Sequence, residues 1–396
     1  SDVYKRQEVL LTPDNIATTC RNCSFNIVAT RLSQYLQQYY GIRLPVSISL
    51  QRNSRIFVED LFTTMIMGYY DNDRVNTLYT LDTPFVATTL WISPSHIPRY
   101  IHTTSLWNYV IAQYFGIKAN VVPRGVDDNI ADTVFHSLVT TEKELGVHNA
   151  KKYEVFSLLT GPPGVRYKNH RLVHDVLTAL RIRTRSLLVC DEPFCDVKTW
   201  SLTTEDVYRF MASSKLFLTL SESEGFGIPP IEAMAVGTPV AHFDSAFVSA
   251  PFTHCDDTVT TTDESCRTMY NDLVNAVRKA WDVITENKRV LTIPKIEIKK
   301  IDVAYHPDLI HYPIPVIKHR LTEANHQPNK FYYSSVYDLY TVIKAVRDAL
   351  DHINSMSTEE LFTTQEKLHS YAQRYFYHSS FLERVVGVIN AKSNYY

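Results

Sequence analysis

Glycine is scarce in this chain, with 11 among 396 residues. That shortage excludes collagen-like and glycine-rich low-complexity architectures. Five of the glycines, Gly161, Gly164, Gly225, Gly227 and Gly237, fall in two short stretches of the second half. Where glycine is rare, such clustering marks backbone that must turn tightly or touch a ligand. Six cysteines (Cys20, Cys23, Cys190, Cys195, Cys255 and Cys266) are scattered, which does not read as a disulfide framework in a chain this long. Cys20-x-x-Cys23 has no second pair at zinc spacing, so no metal site is expected, and reduced thiols in a cytoplasmic protein are the simpler reading. A net charge of -2 gives no broad attraction to nucleic acid or anionic lipid. No apolar run approaches the roughly 18 residues of a transmembrane helix, and no signal peptide is visible. The expected location is therefore cytoplasmic, with peripheral membrane attachment left open. The chain opens on Ser1 rather than Met, so its natural N-terminus is expected to be missing or altered.

What is present is globular. Hydrophobic residues make up 45% and charged residues 21%, and the length suits two ordinary domains. The 25 tyrosines read as packing and rim hydrogen bonding rather than as a binding platform. In the first half, short apolar runs alternate with amphipathic stretches. Strands are predicted at Glu8–Leu11, Val46–Leu50, Asn76–Thr80, Thr89–Ser93 and Asn120–Val122. Helices are predicted at Asn26–Tyr40, Phe57–Tyr70 and Ser105–Phe115. Such alternation argues for an open parallel sheet with covering helices. The second half repeats the theme. Strands are predicted at Glu154–Thr160, Ser186–Cys190, Leu216–Leu220 and Thr238–Phe243, and helices at Arg171–Ile182, Thr204–Ala212, Pro229–Ala235 and Val336–Asn354. The fold class is α/β, with two doubly wound domains whose ligands sit at the carboxyl ends of the strands.

The richest segment is Glu224-Gly225-Phe226-Gly227-Ile228-Pro229-Pro230-Ile231-Glu232 and the Ala-Met-Ala-Val-Gly-Thr-Pro-Val240 that follows. The apolar run Leu216–Leu220 reads as a buried parallel strand leading into it. Proline in a first helical turn sacrifices no hydrogen bond. A helix N-terminus offers unpaired N–H groups and positive dipole charge to a phosphate. Two acids, one before the turn and one inside the helix, could then face one bound nucleotide sugar.

This segment resembles the donor-site signature of retaining glycosyltransferases of the GT-B fold, family four (glycosyl transferases group one). Val121-Val-Pro-Arg124-Gly-Val-Asp127 is similar to the phrase that ends that family's N-terminal domain, with Arg124 where an Asn is usual, and Ile92–Ser95 is similar to a strand end that precedes it. The resemblance implies two Rossmann-like domains facing a cleft and a C-terminal helix crossing back. Residues 1–128 with about 376–396 would form the acceptor-side domain. Residues 150–375 would form the nucleotide-sugar domain, with an insertion around 285–330. It also implies that Glu224 contacts hydroxyls of the transferred sugar and Glu232 the ribose. Gly161, Gly225, Phe226, Gly227 and Ile228 would line the donor. In the loop Gly161–His170 the family's diphosphate Arg falls on Pro162 and its Lys on Lys168, and Arg166 is a candidate substitute. Glu224 and Lys168 are the expected catalytic pair.

The activity so implied is metal-independent transfer, with retention, of a sugar from UDP- or GDP-sugar to an acceptor hydroxyl, with no further cofactor. The acceptor would be a carbohydrate, a lipid-linked sugar or a protein, and a homo-oligomer is possible. The family's Gly-Gly loop near the first strand is absent, which leaves donor sugar and acceptor open. So does the sequence Asp244–Pro251 where a second Gly-Gly turn is usual. Two alternatives stand beside this. Seven Lys or Arg residues at 288, 289, 295, 299, 300, 318 and 320 fit a glycosyltransferase acting on a nucleic-acid base, although the near-neutral chain argues against duplex binding. The altered Pro162 fits a sugar-nucleotide-binding protein without turnover.

Overall fold

The computed structural model describes residues 100–114, 120–161, 164–245, 247–248, 271, 273–276, 278–279, 310–323 and 330–384, with strand pieces at 9–10, 46–47, 64–71, 74–81 and 86–87. In chain order the strands are β1 Val9–Leu10, β2 Val46–Ser47, β3 Thr64–Asp71, β4 Arg74–Leu81, β5 Val86–Ala87, β6 Tyr100–Thr103 and β7 Asn120–Val121. They continue as β8 Tyr153–Leu158, β9 Leu187–Val189, β10 Ser214–Thr219, β11 Val240–Phe243, β12 Tyr312–Ile314, β13 Lys318–Glu323 and β14 Lys330–Val336. The helices are α1 Leu106–Tyr114, α2 Asp128–Leu145, α3 Val147–Ala150, α4 His170–Ala179, α5 Thr204–Ala212, α6 Ile228–Ala235, α7 Leu339–Ser355 and α8 Thr358–Phe376.

The centre of the molecule is a five-stranded sheet in the order β12-β11-β10-β8-β9, with every pair parallel. Its strands read as continuous apolar runs because both faces are covered. The period of two divides them cleanly. Phe156, Phe217, Val240, Leu187 and Val189 point to the face covered by α2, α5, α6 and α8. Val155, Leu216, Leu218, Ala241 and Leu188 point to the opposite face, where Val173, Val176 and Leu177 of α4 and Val342, Val346 and Ala349 of α7 meet them. Phe156, Phe217 and Leu218 are fully buried, and burying a side chain of this size stabilises the fold by about 1.5–3 kcal/mol.

Local signals set the helix starts. Thr203 and Asp206 form a reciprocal capping box on α5, as Ser357 and Glu360 do on α8. Asp127 caps α2 by accepting from the Ile130 N–H at 3.0 Å. Caps of this kind contribute about 1 kcal/mol each.

The second sheet, β3-β4-β6-β7, corrects the sequence reading. Residues 64–71 are a strand, not the end of a Phe57–Tyr70 helix, and β3 pairs antiparallel with β4 from Thr64↔Leu81 to Asp71↔Arg74. The sheet is therefore mixed, with parallel pairing only from β4 through β6 to β7. Asn26–Tyr40 and Thr89–Ser93 lie outside the described residues, as do Cys20, Cys23, Cys255, Cys266 and residues 285–309. The part of the expected insertion that is described is not peripheral. β12 completes the five-stranded sheet, and β13 pairs with β14 in an antiparallel hairpin.

At its C-terminal end α8 stops at Phe376 and the chain returns to the Arg124–Asp128 segment. The Val126 N–H donates to Phe376 O at 2.7 Å, the His378 N–H to Val126 O at 2.9 Å, and the Ser379 N–H to an Asp128 carboxylate oxygen at 3.1 Å. Arg124 is buried with its guanidinium 6.0 Å from the Phe381 ring centroid. Gly125 sits against the same corner: a Cβ there would lie 2.6 Å from His378 Cα, so only glycine fits.

A second correction concerns the cysteines. Cys190 and Cys195 form a disulfide across the turn that follows β9. The turn brings the chain back on itself, with the Cys190 N–H donating to Val197 O and the Asp196 N–H to Leu188 O. Two scattered cysteines thus meet because a tight reversal separates them.

Candidate active site

The site is assembled where β8 and β10, adjacent in the sheet, both end. After β8 the chain runs through Gly161, which has φ 111°, and Gly164, with φ 80°. It then tightens into one helical turn at Arg166–Lys168. Asn169 follows in the left-handed region at φ 52°, and α4 begins at His170. After β10 come Leu220–Ser223, the Glu224–Gly227 turn and α6. Gly227 precedes the helix with φ 88°, a conformation that costs a side-chain-bearing residue about 1–2 kcal/mol.

The two loops meet through opposite charges. Lys168 Nζ lies 2.5 Å from Glu224 Oε1, with side chains 16% and 18% exposed. This pair is neither a freely solvated surface bridge nor fully sealed. The Glu224 N–H donates to Phe247 O at 2.8 Å, which pins the turn to the loop after β11. From the other sheet, Thr104 Oγ1 and Asn108 Nδ2 donate to Gly225 O at 3.4 and 3.3 Å. Trp107 packs edge-on against Phe247 and Tyr333, so α1, the turn and the β13–β14 hairpin converge here.

The remaining expected residues divide. Glu232 is half-buried one turn into α6. Arg166 is exposed at the start of its turn, and its charge reaches Tyr332 of the hairpin. Phe226 turns its side chain into the core, 5.9 Å from Phe376, and Ile228 packs against the same cluster. The buried Phe226 ring can hold the turn in place but leaves only its backbone for a donor, whereas Ile228 is half-buried. Pro229 and Pro230 occupy the first turn of α6, so they remove N–H groups that would otherwise lack helical partners. Among the described residues, no group of three or more His, Cys, Asp or Glu side chains could hold a metal ion.

Sequence reasoning passed over Glu222. This carboxyl is 8% exposed at the end of the buried strand run. Burial pushes its pKa up to about 7, although hydrogen bonds from Asn169 and the Ser335 backbone and the charge of Arg320 oppose the shift. The available signal was an acid two residues beyond the apolar run Leu216–Leu220, where a solvated carboxylate is unexpected. Glu192, on the disulfide-closed turn, was also missed. It accepts from the Gly164 N–H at 2.7 Å and lies 3.8 Å from His170, whose pKa burial pushes down.

Comparison with known proteins bears on this same stretch. Residues 198–256, which contain the Glu224–Glu232 turn and helix, match the family described as glycosyl transferases group 1. That stretch is similar to group 1 glycosyltransferases. A putative glycosyltransferase of Acidianus filamentous virus 2 is 28% identical over 96% of both chains. One of Sulfolobus islandicus filamentous virus is 26% identical over 57% of this chain and 75% of its own length. Among solved structures, sucrose-phosphate synthase from Thermosynechococcus elongatus superposes with a TM-score of 0.41 at 11% identity. The match covers 76% of this chain and 61% of that one, so the chain spans less than two thirds of that protein. No described helix is long and apolar enough to cross a membrane.

Proposed function

We propose that the protein transfers a sugar from a nucleotide-diphosphate sugar, UDP- or GDP-linked, to an acceptor hydroxyl with retention of anomeric configuration and without a metal. The observation that carries this reading is the Lys168–Glu224 pair at the carboxyl edge of a parallel sheet, beside the N-terminus of α6. In the free protein each charge neutralises the other. When the donor binds, Lys168 is released to the diphosphate and Glu224 to the sugar hydroxyls. With Pro229 and Pro230 in the first turn, the backbone N–H groups of Gly227 and Ile228 are the donors left there to meet developing negative charge, and fixed donors of this kind lower a barrier by about 3–4 kcal/mol in favourable cases. Glu224 is held by its own backbone and by Lys168, so its work is positioning rather than attack. The departing phosphate then accepts the acceptor's proton as the new glycosidic bond forms on the face the leaving group vacates. Arg166, at the exposed start of the loop, is the second cation available to the diphosphate.

The test pairs binding with chemistry. Calorimetry with UDP- and GDP-sugars, followed by NMR of the anomeric proton in the product, should show saturable binding of one donor and a product with the donor's anomeric configuration. An inverted product would refute retention. Absence of binding by every nucleotide sugar would remove the donor assignment.

A further inference from the structure

Glu222 grips the lysine loop from two directions. Its backbone N–H donates to Tyr167 O at 2.7 Å. Its carboxylate Oε1 accepts from Asn169 Nδ2 at 2.9 Å. The two partners flank Lys168 on either side. Asn169 also donates to Leu220 O at 3.0 Å, and Ser221 Oγ to Tyr167 O at 3.3 Å, so strand end and loop are laced together. The third attachment runs to the hairpin, where the Ser335 backbone N–H donates to the Glu222 carboxyl. Asn169 holds a left-handed backbone that a residue with a side chain adopts reluctantly, and its side-chain bonds to Leu220 and Glu222 are what keep it there.

We propose that Glu222 is a positioning residue for Lys168, and that its anionic form sets the lysine's place on the donor diphosphate. This rests on the assignment of Lys168 to the donor made above. A carboxylate accepts from two N–H donors at once, whereas a carboxylic acid must turn a hydroxyl toward one of them. The groups facing Glu222 are Arg320 of β13, Tyr332 of β14, Tyr337 beyond it, and Asn169 of the lysine loop. Tyr332 stays protonated, its pKa pushed up to about 12, and burial raises that of Tyr337. Glu222 is thus the group in this cluster that changes charge near neutrality. The sign follows. Its folded pKa lies above the unfolded value, so folding stability falls as pH rises from about 4.5 toward 7. Over the same range the anion that grips Asn169 becomes populated. Donor binding tightens with rising pH while the fold loosens slightly.

The experiment uses the full chain and Glu222→Gln, which keeps shape and removes the titration. In the wild type, KM for the donor should fall by about tenfold between roughly pH 6 and 8, the worth of one hydrogen bond to a charged group. In E222Q that slope should vanish, with KM near the acid-limb value and kcat little changed. A second readout needs no donor. Acetylation of Lys168 by acetic anhydride, followed by mass spectrometry, should be faster in E222Q than in the wild type at neutral pH, because the loop is less restrained. An E222Q variant that keeps the wild-type pH slope, or whose Lys168 reacts no faster, overturns the proposal. Loss of donor binding in the wild type itself would instead strike the donor assignment, and the acetylation rates would still decide the positioning role.

Discussion

The five-stranded and four-stranded sheets are built from similar apolar runs yet are wired differently. In the first, every neighbour is parallel and each connection passes through other structure before returning. In the second, β3 and β4 are consecutive and antiparallel, with Asp71 opposite Arg74 at the turn. A parallel pair needs a crossover, whereas a hairpin closes in a few residues. The consequence is a difference in edges. The parallel sheet brings the loops after β8 and β10 to the same end, where Lys168 and Glu224 meet. A hairpin sends its neighbouring ends in opposite directions and cannot converge two loops in that way.

The largest test of this contrast removes the converging charges. Lys168→Ala and Glu224→Ala should each lower the rate of sugar transfer about 10²- to 10³-fold while leaving the circular dichroism spectrum unchanged. Full activity in both variants would show that convergence at this edge is incidental. Next comes the core that holds the edge in place. Phe217→Ala, at the centre of the parallel sheet, should cost about 3–5 kcal/mol in urea unfolding. A loss below about 1 kcal/mol would mean that the sheet is not the cooperative centre of the fold. A smaller effect is expected where the chain end returns to the junction. Gly125→Ala forces a Cβ onto the His378 backbone, and overpacking of this sort costs about 1–3 kcal/mol. The smallest effect belongs to the rim: Cys195→Ser should lower stability by about 2 kcal/mol or less, because the disulfide closes a short loop. If reductant lowers the melting temperature of the wild type and leaves Cys195→Ser unmoved, the bond is present in solution.

The same contrast separates what is written locally in the chain from what is not. Thr204–Ala212 was legible to the residue because its start is written locally, in Thr203 and Asp206. Lys168 and Glu224, which the structure brings together, were singled out through the family resemblance of the short segments in which they lie. Phe57–Tyr70 misled because Phe57, Leu61, Met65 and Ile66 fall at helical spacing. What decides the strand is pairing across the ladder with residues such as Leu78 and Tyr79, which no local window contains. The direction of the Phe226 ring was not legible for the opposite reason: its place in a motif says nothing of which way the ring turns, and Phe376, which receives it, lies far along the chain. Glu222 was hidden by distance as well. Its burial depends on Ser335 and Tyr332, more than a hundred residues away. The disulfide escaped because five residues of spacing carry no signature until the turn between them is known.

The carbonyl of Gly225 receives hydrogen bonds from Thr104, just beyond β6 of the other sheet, and from Asn108 of α1. One peptide therefore belongs at once to the seam between the sheets and to the turn that presents Glu224. Any swing that parts α1 from this turn strips two donors from a single oxygen and slackens the backbone beneath the carboxylate. Parting of α1 from the turn and loosening of the peptide beside Glu224 are, at this carbonyl, the same mechanical event.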